Sequence, residues 1–188
     1  MSRLVRRAGR AALEDGSAVV WTVAAGRRGR RWREVRTAGG ESVVSSLLLE
    51  TDPADRFLHA ELSTAAGLLT LHPEADGMLH GNVVTLDGVR HVTGLPWSTE
   101  AALLVDGSAI GLTAAAHALR ERTVVGASTR LGVARVTTGL DIAIDAIEVE
   151  RLAVDLWRVD EREIRVDPDG MPVFLNARAW PLELQAPR

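Results

Sequence analysis

Five Asp-Gly pairs, at 15–16, 76–77, 87–88, 106–107 and 169–170, punctuate this chain between runs rich in β-branched and apolar residues. Glycine takes a positive φ without steric cost, and an Asp before it hydrogen-bonds its own backbone; this is the local chemistry of tight hairpin turns. A chain punctuated so often runs back and forth. The segments between the turns agree, reading as strands at 17–24, 31–37, 41–50, 57–62, 67–73, 78–86 and 89–94. In 31–37, Trp32, Glu34 and Arg36 share one face and Arg31, Arg33 and Val35 the other. In 57–62, alternation puts Phe57, His59 and Glu61 on one side and the all-apolar set Leu58, Ala60 and Leu62 toward a core.

After Trp97 the pattern changes. A short strand at 101–105 precedes 112–122 (LTAAAHALRER), the best helix in the chain, with no Pro or Gly and with Arg near its C-terminus. Strands follow at 124–128, 131–137 and 141–147, then a strand pair or one bent strand within 149–159. A hairpin turns about Pro168-Asp169-Gly170, and a last strand is expected at 179–184. A second, short helix is expected at 2–13, where Leu4, Ala8, Ala11 and Ala12 fall on one side. One substantial helix is too little for repeated βαβ units. The fold expected is mainly β, an antiparallel meander curved into a roll or half-barrel around a single helix, in one domain spanning 1–188.

Composition narrows the chemistry. The 188 residues include no Cys, no Lys and no Tyr; all 22 basic residues are Arg. Without Cys there are no disulfides, thiolate nucleophiles or Cys-ligated metal centres. Without Lys there is no Schiff-base chemistry and no Walker-type phosphate loop. Net charge is −3, unevenly placed: residues 1–36 carry ten Arg against Glu14, Asp15 and Glu34 (+7), and the rest carry twelve Arg against twenty-two acids (−10). No run has the length of a transmembrane helix and the N-terminus lacks the apolar stretch of a secretory signal, so a cytoplasmic protein is expected.

Three of the five histidines fall within 68–97 (LLTLHPEADGMLHGNVVTLDGVRHVTGLPW). If Asp87-Gly88 is a two-residue turn, Val84 pairs with His91 and Asn82 with Thr93. His80, Asn82, Val84, His91 and Thr93 then project from one side. His72 joins them only if the loop before His80 has an odd length. A polar ligand-facing surface of His80, Asn82, His91 and Thr93, with Trp97 at its edge, is the expected binding site. No His spacing matches a metal motif, so neither metal nor cofactor is expected.

Other signals are weaker. Arg27–Arg33 offers cations and one Trp to a nucleic acid or an anionic headgroup, although nucleic-acid modules are usually basic overall and this chain is acidic. Ser108 in Gly107-Ser108-Ala109-Ile110-Gly111 lacks the spacing of a nucleophile elbow. Asp167-Pro168-Asp169-Gly170 lacks the downstream acid of a calcium loop.

Leu69-Thr70-Leu71, Asp76-Gly77, Gly88 and Thr93-Gly94-Leu95-Pro96, together with Val166–Pro172 and the late Trp180, resemble a bacterial family named for glycolipid binding, whose activity is uncharacterised. Gly94 stands where that family's pattern has Asn, and the family's Tyr-rich strands have no counterpart here. The resemblance covers about half the chain and implies a spiral β-roll and an apolar or amphipathic ligand. The function expected is a non-enzymatic binding module for such a molecule. Two alternatives stand beside it: a hydrolase with His80 or His91 as general base oriented by Glu74 or Asp76, and an anionic-polymer binder through Arg27–Arg33.

Overall fold

The structure is a computed structural model and describes residues 5–13, 16–39, 42–175 and 178–179. Its first half is an eight-stranded meander in which spatial order equals chain order: β1 (Val5–Ala12), β2 (Ala18–Gly26), β3 (Gly29–Ala38), β4 (Ser42–Thr51), β5 (Phe57–Thr64), β6 (Gly67–Pro73), β7 (Met78–Thr85) and β8 (Gly88–Pro96). Every neighbouring pair is antiparallel. The sheet curls into a half-barrel, as its turn chemistry predicts.

The second half is a seven-stranded sheet: β9 (Ala102–Val105), β10 (Ser128–Val136), β11 (Ile142–Arg151), β12 (Leu156–Val159), β13 (Arg162–Val166), β14 (Pro172–Leu175) and β15 (Arg178–Ala179). Only β9 and β10 are parallel, and α1 (Ile110–Leu119) makes the crossover between them. The glycines of all five Asp-Gly pairs have positive φ. Gly107 is the exception in role, since its turn leads β9 into α1 and makes one βαβ unit in a chain of hairpins.

Alternation along the strands sorts the chain into three layers. One face of the first sheet supplies Val19, Trp21, Val23, Trp32, Leu47, Leu49, Leu69, Leu71, Leu79 and Val83 to a core that also holds Leu103 and Val105 of β9 and Ala134 and Val136 of β10. The opposite face of the second sheet, with Val133, Val149, Trp157 and Ile164, packs on Leu112, Ala115, Ala116 and Leu119 of α1. Eight of the ten α1 residues are buried, which explains why its sequence shows only Thr113 and His117 as polar side chains. A helix buried nearly all round needs no solvated stripe.

Three local expectations give way. Residues 5–12 form strand β1, not the helix expected at 2–13. A helix of that length is marginal alone, whereas pairing with β2 along all eight residues satisfies the backbone groups that face that strand. Gly9 is what permits the contact: a Cβ there would sit 2.4 Å from the ring of Trp21. In β5 a bulge opposite Glu50/Thr51 turns Leu58 outward, so Phe57, Ala60 and Leu62 all face the core. The main helix covers 110–119 where 112–122 was expected. Arg122 and Thr123 both donate to the Leu119 carbonyl in a tightened last turn. The strand expected at 179–184, and Trp180 within it, lie largely outside the described residues.

Candidate ligand-binding site

The histidine-bearing strands lie at the far edge of the curled sheet. The β7–β8 turn is Leu86-Asp87, closed by Thr85 opposite Gly88, so Asn82 pairs with His91 and Val84 with Val89. This register differs by one rung from the expected one and keeps the same parity, so His80, Asn82 and His91 do share a face. The loop before them spans 74–78, an odd length, and His72 pairs directly with His80. Thr93 is exposed beside a bulge between Leu79 and Gly81.

That face is the solvent side of the sheet. His91 Nδ1 lies 2.7 Å from Asn82 Oδ1, His80 Nε2 lies 2.9 Å from Asp76 Oδ2 and His72 Nε2 lies 3.1 Å from Glu74 Oε1. Hydrogen bonding to His80, then to the Met78 backbone, holds the Asp76 carboxyl below its usual range. His80 and Asp76 thus form the base-and-orienter pair that the hydrolase alternative requires. The side-chain hydrogen bonds of His80 and His91 go to Asp76 and Asn82, and neither reaches a serine or threonine hydroxyl. Among the described residues no three His, Asp or Glu side chains gather to hold a metal ion.

Trp97 is placed differently. It packs against the core and meets Phe57 edge to face, ring centroids 5.2 Å apart at 60°. Phe57 in turn lines a crevice between the inner face of β4–β5 and α1. The walls are Leu49, Phe57, Leu103, Ala115, Leu119 and Leu131; the mouth carries Asp55, Arg56, Glu100 and Arg122. Open space inside is about 30 Å³, room for roughly two waters. One polar group stands among the apolar walls. Thr51, 5% exposed, is part of the lining, and its hydroxyl oxygen is buried with no hydrogen-bond partner among the described residues. Such a group costs about 1–3 kcal/mol unless something reaches it.

Two further ionisable groups are buried beside the helix, and sequence reasoning missed both. His117, on α1, is 2% exposed in its side chain, meets Trp32 edge-on at 6.1 Å and lies 3.5 Å from Asp55. Burial first, then the guanidinium groups of Arg30 and Arg120, push its pKa down to about 3, so it is a neutral imidazole accepting from Arg120. Asp55 is raised by the same burial and held down by those two arginines. Glu34, on β3, is 5% exposed. It accepts from Ser108 Oγ at 3.0 Å, and that hydroxyl in turn accepts from the Ile110 N–H, so the pair holds the start of α1 from another element. Desolvation outweighs those bonds and raises its pKa to about 7. The sequence did put Trp32 and Glu34 on one face. A Trp on that face was the signal that it points inward.

The fold is mainly β: a curled antiparallel half-barrel packed on a second sheet that carries one helix. No family model matches the chain, and no curated protein does. A solved structure of a DUF1089 family protein from Pseudomonas aeruginosa shares the fold, with a TM-score of 0.55 over 94% of this chain and 93% of that one, at 15% sequence identity. The likeness at that identity is one of architecture. The resemblance to the glycolipid-binding family rests on the residues quoted for it alone. No helix of the described residues is long and apolar enough to cross a membrane.

Proposed function

We propose that this protein is a non-catalytic binding module for an amphipathic small molecule, taken up in the crevice between α1 and strands β4–β5. The apolar tail lies against Leu49, Phe57, Leu103 and Leu119, and the polar head meets Asp55, Arg56, Glu100 and Arg122 at the mouth. The observation that carries this reading is the orphaned Thr51 hydroxyl, a buried polar group inside an otherwise apolar wall. The space is narrow, so entry of an alkyl chain requires α1 or the 98–101 segment to give way. Of the residues expected at the site, Trp97 belongs to this reading, as the ring behind Phe57. His80, Asn82, His91 and Thr93 stand on the other side of the sheet.

The test is native mass spectrometry of protein purified from cells, followed by titration with a long-chain fatty acid and an alkyl glucoside under Trp fluorescence. A co-purifying lipid-sized mass and a saturable emission shift are expected. Both should disappear in Ala118→Phe, which fills the crevice from a half-buried position on α1. No bound mass and no shift with either amphiphile would remove the reading.

A further inference from the structure

The β2–β3 hairpin carries a second feature, separate from the crevice. A cavity of about 550 Å³ opens at the end of the curled sheet; among the described residues five arginines line it, Arg6, Arg27, Arg28, Arg30 and Arg31, with Glu50 as the one acid. The cross-strand register explains the gathering. Arg6, Ala24, Arg31 and Glu50 stand in a single row across β1, β2, β3 and β4. Two guanidinium groups therefore straddle the small side chain of Ala24, with strand axes roughly 10 Å apart across β2. Arg27 and Arg28, at the exposed turn, close the other side.

This is a built wall and not a loose loop. Gly29 fixes the turn against the end of β4, since a Cβ there would fall 1.9 Å from the Thr51 carbonyl oxygen. Arg30 reaches inward to Asp55 at 3.3 Å and donates to the Asp169 carbonyl at 2.6 Å. Arg31 is paired with Glu50 at 2.5 Å. The nearby acids are all engaged: Asp55 with Arg30, Glu50 with Arg31, Asp52 with Arg56 and Asp169 with Arg7. Arg6, Arg27 and Arg28 have no acidic partner among the described residues. Three like charges held together repel one another, and an anion relieves that repulsion.

We infer that this cavity is a binding site for an oligophosphate, two or three linked phosphoryl groups, free or carried on a larger molecule. Guanidinium forks match phosphoryl oxygens two at a time, and three forks without an acidic partner among the described residues match the charge of such a group. The volume lies within the ~300–1,000 Å³ of small-molecule sites. Among the described residues no aromatic side chain lines the cavity, and Trp32 next to it is buried at 1% exposure. Recognition is therefore of phosphates alone, without stacking on a base.

Isothermal titration of the full chain with inorganic tripolyphosphate at low salt tests this. One site is expected, weakened at least tenfold when the salt is raised several-fold. Arg27→Gln/Arg28→Gln and Arg6→Gln should each weaken it at least tenfold, while Arg130→Gln, exposed on β10, leaves it unchanged. ADP and ATP should bind no more tightly than pyrophosphate and tripolyphosphate. Sedimentation with vesicles containing a phosphoinositide separates the sources. Vesicle binding displaced by tripolyphosphate assigns the site to a lipid headgroup; tripolyphosphate binding without vesicle binding assigns it to a free oligophosphate. No heat with tripolyphosphate at low salt, or equal affinity in the Arg27/Arg28 double variant, overturns the inference.

Discussion

The two faces of the curled sheet carry similar residue types and use them in opposite ways. On the outer face, His72, His80 and His91 each have a nearby carboxylate or amide and stand in solvent. On the inner side, Glu34 of β3 and His117 of α1 are sealed between sheet and helix, and burial drives their pKa values to about 7 and about 3. The histidine cluster that dominates the sequence thus lies on the solvent side of the sheet. The two displaced groups come from stretches that read as a plain strand and a plain helix. Layer, and not local density of polar residues, decides where a side chain acquires unusual chemistry.

The largest expected contrast is in stability. Trp32→Ala removes a ring buried at 1% exposure and should cost about 3–5 kcal/mol, lowering the urea midpoint. His91→Ala on the outer face should change stability by no more than about 0.5 kcal/mol. Equal losses would break the distinction between the faces.

The dependence on pH is subtler, because the two buried groups oppose each other. Folded Glu34 keeps its proton up to about pH 7, while the unfolded chain releases it near 4.5, so this group lowers stability as pH rises from 4.5 to 7. Folded His117 takes a proton only near 3, while the unfolded chain binds one below 6.5, so this group raises stability as pH rises from 3 to 6.5. Between 4.5 and 6.5 the two slopes cancel. Glu34→Gln should uncover a rise of about 3 kcal/mol across that window in urea titrations at stepped pH. His117→Gln should instead leave a fall. A flat profile in both variants would mean that neither group is as buried as the structure has it.

Much of this was legible beforehand, and the exceptions are instructive. Asp-Gly spacing predicted the meander because a turn's chemistry is local. His80, Asn82 and His91 share one face despite a shifted register, since a two-residue change in the pairing sum preserves parity. What parity could not say was which face is wet. In β5, one bulge at Leu58 reversed the assignment of Phe57, because an inserted residue exchanges the two faces and leaves no mark in composition. Residues 5–12 looked helical by propensity, and only the partner strand β2 made them extended. His117 was overlooked inside a correctly located helix. The scarcity of polar residues around it was the available clue that α1 has no solvent side.

Smaller effects sharpen the site. Thr51→Val keeps the shape and removes the orphaned hydroxyl, so it should stabilise the unliganded protein by about 1 kcal/mol while weakening amphiphile binding, read by thermal unfolding and fluorescence titration together. Loss of binding without a gain in stability would mean that the hydroxyl is already satisfied. Smallest of all, Asn82→Ala frees the ring of His91 and should change neither stability nor amphiphile binding measurably.

Hydrogen–deuterium exchange with and without a saturating long-chain fatty acid compares the faces in one experiment. Ligand at the inner face predicts slowed exchange across 110–119 and 57–64, with 78–96 unchanged. Slowed exchange confined to 78–96, around His80, Asn82 and His91, would contradict the account and move the site to the outer face.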